Sequence, residues 1–153
     1  MVVKEKKFTR KKALWIVLAA VLILVLFIVL RGSTRKGELS TLEGREAYLA
    51  ELGWEIDPYS EECRRVQIPD CTEGVMVEYN RLQQAQGFDL SEHTGENCVQ
   101  YNYVVTNYPG YDQTVYATLY LQNGRLIAGD IHTAAVNGFM HELLRSGPAA
   151  DSQ

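Results

Sequence analysis

Ala13 to Leu30 reads ALWIVLAAVLILVLFIVL, a run with no charge, no glycine and no proline. Wound as an α-helix it reaches about 27 Å, close to the thickness of a bilayer's hydrocarbon core. In water such a helix would be apolar on every side; in lipid it satisfies its own backbone hydrogen bonds. The run therefore predicts one transmembrane helix over 13–30, in contact with membrane lipid. A basic cytoplasmic tail at 1–12 precedes it, and the anchor displays the rest of the chain. A cleaved signal peptide has a shorter apolar region, about 7–15 residues, and a small-x-small cleavage site. Here the run passes into RGSTRKGE without such a site, and the first cysteine, which a lipoprotein would need at once, is Cys63. The expectation is an uncleaved signal anchor.

Flanking charge sets the orientation. Lys4, Lys6, Lys7, Arg10, Lys11 and Lys12 precede the run, against Arg31, Arg35 and Lys36 after it. The basic excess stays inside, so the N-terminus is cytoplasmic and the C-terminal part extracytoplasmic, with Trp15 suited to the inner headgroup level. Beyond Lys36, six arginines stand against eighteen acidic residues, a net charge of −12 within an overall −4. That field repels nucleic acid phosphates, so no nucleic acid partner is expected, and it would attract a basic partner or divalent cations. A plain solvated acidic surface is the other reading of the same charges.

Cys63, Cys71 and Cys98 are an odd set. A Cys63–Cys71 bridge is sterically conceivable outside the membrane, and three free thiols are the alternative. No Cys-x-x-Cys occurs, and His93, His132 and His141 lack zinc-ligand spacing with the cysteines, so neither a metal nor a cofactor is expected.

Residues 31–40 read as a tether with Gly32 and Gly37. Ser40-Thr41-Leu42-Glu43 reads as a capping box opening a helix with Leu42, Leu49 and Leu52 on one stripe, closed by Gly53-Trp54 in Schellman style. Cys63 to Ile68 is a short polar strand suited to a sheet edge. Pro69-Asp70 should start a second helix, with Asp70 as cap, Glu73 in the box position and Val75, Met76, Tyr79, Leu82 and Gln86 buried; Gly87-Phe88 ends it. From Asn97 the period is two: strands over 97–107 and 114–122, a turn at Tyr108-Pro109-Gly110-Tyr111, a hairpin at Asn123-Gly124, and a strand from Arg125 to Thr133. A last short helix is expected over 137–144, packing Phe139 and Leu143. The fold class is α+β: an αβαβββ domain over 41–146, two layers with the helices on one face of an antiparallel meander, and a disordered tail at 147–153.

Pairing across Asn123-Gly124 puts Leu121 opposite Leu126, Leu119 opposite Ala128, Ala117 opposite Asp130 and Val115 opposite His132. Asp130 and His132 then share a face, about 7 Å apart, and Asn102 joins them, with Cys98 a further candidate. The sharp reading is a thiol–imidazole–carboxylate site; the bland one is a capping Asp and a His at a hairpin's open end. Tyr101, Tyr103, Tyr116 and Tyr120 are expected on one face, either a stacking surface or the layer the helices cover. Glu61 and Glu62, with Asp57, Asp70 and Glu73, form an acidic patch without the pattern of a calcium loop.

Glu51-Leu52-Gly53-Trp54-Glu55-Ile56-Asp57-Pro58, Tyr79-Asn80-x-Leu82-Gln83-x-x-Gln86-Gly87-Phe88-Asp89-Leu90, Asn107-Tyr108-Pro109-Gly110, Gly129-Asp130-Ile131 and Gly138-Phe139-Met140-His141 together span most of 45–145. In these stretches the chain resembles a bacterial family, the domain-of-unknown-function 4830 proteins, associated with Gram-positive anaerobes. The resemblance implies a cell-envelope protein with one membrane helix and a small extracytoplasmic domain. It brings no activity and no catalytic residues. The expectation is a non-enzymatic module that binds a protein or envelope partner. The alternatives are an envelope enzyme or inhibitor using the Asp130/His132 face, and a structural subunit of a membrane complex.

Overall fold

The computed structural model describes residues 39–135 and 137–145. The expected tail at 1–12, the helix over 13–30, most of the tether and the terminal tail at 147–153 lie outside the described residues. Among those described, no helix is long and apolar enough to cross a membrane. The domain is α+β: α1 (Leu42–Glu51), β1 (Ile56–Gln67), α2 (Val75–Ala85), a 3-10 turn (Leu90–His93), β2 (Asn97–Val105), β3 (Val115–Gln122), β4 (Arg125–Thr133) and β5 (Met140–His141). The strands form one antiparallel sheet in the order β1-β2-β3-β4-β5.

Local chemistry explains the ends of the helices. Thr41, the residue before α1, accepts a hydrogen bond from Gly44 N–H at 3.1 Å. The cap is therefore Thr41 rather than Ser40, and Glu43 falls one position short of closing a box. At the far end Trp54 N–H reaches Leu49 C=O and Gly53 N–H reaches Ala50 C=O, the paired bonds of a Schellman motif; Phe88 and Gly87 repeat them on α2. The start of α2 differs from expectation. Asp70 binds Thr72 N–H in a local turn instead of capping, and the cap position falls four residues later at Gly74, with no side-chain cap. Its buried positions are Asn80 and Gln83, and Val75 is exposed.

The sheet register makes the largest correction. Leu121 pairs with Leu126 as expected, but Tyr120 pairs with Ala128, which leaves Ile127 as an extra residue in a β-bulge. From there on Asp130 lies opposite Thr118 and His132 opposite Tyr116, not Ala117 and Val115. Without the bulge Asp130 would face the apolar side of the sheet beside Ala117, an expensive place for a carboxylate. With it Ile131 takes that place, fully buried.

The β2–β3 register corrects the tyrosine face too. Tyr101 pairs with Leu119 and Tyr103 with Ala117, so these tyrosines lie on the opposite side from Tyr116 and Tyr120. One side carries a core of Leu49, Trp54, Tyr103, Val115, Ala117, Leu119, Ile131 and Leu143, covered by α1. The other carries a smaller core of Ile68, Cys71, Leu90, Cys98, Ile127 and Ala128, against which Met76 and Tyr79 of α2 pack. The two helices thus take opposite faces, and the expected two-layer packing gives way to a sheet with a helix on each side.

The expected C-terminal helix is a strand. Gly138 approaches Thr133 and Ala135 too closely for any side chain, and Thr133 N–H bonds Phe139 C=O, so 140–141 pairs with β4. Phe139 stacks on Tyr108 at 4.9 Å, Trp54 stacks on Tyr108 at 5.6 Å, and Trp54 Nε1 donates to Leu143 C=O at 2.6 Å. Where β5 stops short, a glutamine of α2 and the one that caps its C-terminus finish the β4 edge: Gln83 Oε1 accepts from Gly129 N–H at 2.9 Å and Gln86 Nε2 donates to Gly129 C=O at 3.0 Å. All three cysteines are free, with Cys71 and Cys98 buried and Cys63 exposed, so the Cys63–Cys71 bridge is not formed.

Candidate functional site

The register gathers the candidate residues in one lateral row. Glu62 of β1 lies opposite Asn102 of β2, Asn102 opposite Thr118 of β3, and Thr118 opposite Asp130 of β4. At roughly 4.8 Å per strand, Glu62 and Asp130 are about 14 Å apart. Thr118 Oγ1 donates to Asn102 Oδ1 at 2.8 Å. Glu62 ends the row exposed to solvent.

Asp130 is the row's buried end, 2% exposed. Tyr79 of α2 donates its hydroxyl to Asp130 Oδ2 at 2.6 Å, and His132 Nδ1 lies 2.7 Å from Asp130 Oδ1. A carboxylate only accepts, so an ionised Asp130 takes its hydrogen bond from a proton on Nδ1. The imidazole stacks on Tyr116 at 5.6 Å. Burial first, then the Asp130 carboxylate, raises the Tyr79 hydroxyl far above its ordinary value, and the same two causes raise Tyr120. Both phenols are therefore neutral over the physiological range. Cys98 stays outside this hydrogen-bonded set, buried beside Leu90 and Ala128, and burial pushes its thiol up, away from the thiolate a nucleophile needs.

Tyr79 and Tyr120 also border a larger feature. An open cleft of about 620 Å³ lies between α2 and the sheet, with Val66, Ile68, Met76, Leu82 and Leu90 among its walls. Its polar floor is a short relay: Arg64 Nε donates to Gln100 Oε1 at 2.5 Å, and Gln100 Nε2 donates to Tyr120 Oη at 3.0 Å. Val75 and Met140 stand at its edge, 84% and 50% exposed. Volume, apolar walls and a few convergent polar groups are the usual make-up of a ligand pocket. Asp130 and His132 sit behind this floor, joined to it through Tyr79.

Strand period and the two turns lead one to expect Asn102, Asp130 and His132 on one face; the structure sets them on one face through a different register, with Thr118 between Asn102 and Asp130. Strand period misses Thr118 and the cleft residues Arg64 and Gln100, whose roles depend on pairing β1 with β2 across 29 intervening residues. The acidic patch does not act as one surface. Glu61 turns to the α1 side, where Arg45 Nη2 binds its carboxylate at 2.7 Å, while Glu62 faces the other way. Among the described residues no group of three His, Cys, Asp or Glu side chains is placed to hold a metal ion. No family model matches the chain, and neither a curated protein nor a solved structure matches it.

Proposed function

We propose that this chain is a single-pass protein of the bacterial cell envelope whose extracytoplasmic domain is a non-enzymatic binding module, and that the α2–sheet cleft is its binding site. The observation that carries this reading is the apolar edge. Val75 and Met140 leave large apolar surface in water at the mouth of one cavity. Exposed apolar side chains that share an opening are a common mark of an interaction site. The occupant this chemistry suits carries an apolar group for the walls and a hydrogen-bond acceptor for Arg64, whose guanidinium has donors beyond the one spent on Gln100. The apolar run at 13–30 supports membrane placement, and the resemblance supports the envelope.

A second reading, an envelope enzyme or inhibitor, has one specific observation in its favour: the Asp130–His132 pair, in which a buried carboxylate orients an imidazole at 2.7 Å. One experiment separates the two. Partner capture by crosslinking from native membranes is compared for the wild type, Val75→Asp/Met140→Asp and Asp130→Asn/His132→Gln. The binding reading expects capture to fall about tenfold or more in the first variant and to persist in the second. Undiminished capture by Val75→Asp/Met140→Asp would remove the cleft from the account. An Asp130→Asn/His132→Gln protein that folds normally, captures its partner and yet behaves like a deletion would promote the enzyme.

A further inference from the structure

β1 is an edge strand, and among the described residues nothing pairs with its outer side. Ile68 N–H donates to Glu96 C=O just past β1, and Val104 N–H of β2 donates to the Ser60 hydroxyl, so even-numbered residues of β2 turn their backbone groups toward β1, as do Glu62, Arg64 and Val66, which pair with Asn102, Gln100 and Cys98. Alternation then turns the N–H and C=O of Cys63 and Arg65 outward, toward whatever lies beyond the edge. The side chains there read Glu61-Glu62-Cys63-Arg64-Arg65, a sequence whose charge reverses sign about Cys63.

We propose that two copies of this chain pair through β1, antiparallel about a two-fold axis at Cys63, so that their sheets run on as one. In that register Glu62 of one copy lies opposite Arg64 of the second, and Cys63 opposite itself. Opposed charges stabilise such cross-strand pairs and like charges destabilise them. Sliding the pairing by two residues sets Glu62 against Glu62 or Arg64 against Arg64. Sliding it by one sets the α1 face of one copy against the α2 face of the other, which a two-fold axis through the sheet forbids. Of these registers, the one centred on Cys63 satisfies both charge and symmetry.

Edge strands are blunted against pairing by charged side chains, prolines or bulges. Here the charges complement a second copy, and Pro58 lies at the far end of the strand within the irregular stretch between Asp57 and Glu62. Among the described residues Glu62 and Arg64, the two charges that face each other in this register, have no ion-pair partner. Because the axis is perpendicular to the sheet, both clefts would open on the same side of the pair.

The test uses the full-length chain in detergent and a short bis-maleimide that links two thiols, each adding across one maleimide double bond. Cys63 is the exposed thiol, and at the axis its Cα would lie about 5.5 Å from its counterpart. The wild type should give a crosslinked dimer that Cys63→Ser loses. Glu62→Arg alone and Arg64→Glu alone, both at exposed positions, should each lose at least about tenfold in self-crosslinking, because each sets like charges opposite. Mixed, and distinguished by a size tag, the two variants should crosslink to one another at the wild-type level, since each then faces its complement. A wild type that yields no dimer overturns the proposal. So do single variants that crosslink undiminished, as pairing through 13–30 alone would give, and a mixture that fails to recover.

Discussion

Arg45 is the residue with the most to lose. It is 3% exposed on α1, with its Nε on the Tyr103 hydroxyl at 2.5 Å, Nη1 on Leu39 C=O at 3.0 Å and Nη2 on Glu61 at 2.7 Å. Its guanidinium lies 3.8 Å from the centre of the Tyr101 ring, and Tyr103 also donates to Glu61. One cation thus ties a helix, the irregular part of β1 and a central strand together. Burial alone would lower the Arg45 pKa, but Tyr103 and Glu61 outweigh it and raise the value. For Glu61 burial pulls upward and is outweighed by the Tyr103 hydroxyl and Arg45, which hold the carboxyl below its ordinary value. A depressed carboxyl contributes stability that is present above its unfolded value, about 4.3, and lost as pH falls through the folded value. Urea unfolding of Glu61→Gln should therefore show a loss of about 1–2 kcal/mol at neutral pH that shrinks toward zero in acid. A loss that stays constant down to the acid limit would mean the charge of Glu61 contributes nothing. In the sequence Arg45 looks like one more solvated helix charge, because the partners that bury it lie 16 and 58 residues away.

At the scale of elements, β4 is where backbone and packing meet most tightly. A Cβ added to Gly129 would stand 2.5 Å from Leu143 Cδ1 and 2.8 Å from Thr118 C=O, a backbone atom that cannot step aside. Gly129→Ala should therefore cost about 1–3 kcal/mol, read as a lower thermal midpoint, and should loosen the 139–145 segment that Leu143 anchors. An unchanged midpoint would show that β4 has room which this packing denies it. The elements legible in the sequence are those written in short-range chemistry. The Gly53-Trp54 and Gly87-Phe88 stops are visible because their hydrogen bonds span six residues. The Asn123-Gly124 turn is visible because both residues adopt positive φ. The Ile127 bulge is not, since an extra residue in a strand leaves no local mark and is chosen by where Asp130 can be buried. Tyr101 and Tyr103 part from Tyr116 and Tyr120 for a related reason: the 106–114 connection sets the parity of the register, and a shift of one residue there exchanges the faces. The start of α2 is hidden because Asp70 serves a turn and a helix cap equally well from sequence alone. For the candidate site, the Asp130–His132 pairing comes from strand period, whereas the cleft depends on packing α2 against the sheet.

For the molecule as a whole, three thiols offer a test of placement that the fold itself calibrates. Cys63 is exposed, while Cys71 and Cys98 are buried in the smaller core, where burial raises both thiol values and slows their reaction. Folded protein should thus present one reactive thiol and denatured protein three. If the basic tail at 1–12 stays in the cytoplasm and 13–30 spans the membrane, the domain lies outside with its net charge of −12. A membrane-impermeant maleimide given to intact protoplasts should then label the chain once, at Cys63, and permeabilising the membrane should add no further label. Denaturation should bring the count to three. Labelling that appears only after permeabilisation would reverse the orientation and bring the acidic domain into the cytoplasm. Labelling of all three thiols on intact protoplasts would say instead that the smaller core opens, and with it the floor of the cleft. Because Cys63 lies on the β1 edge rather than in the cleft, neither outcome depends on what the cleft binds.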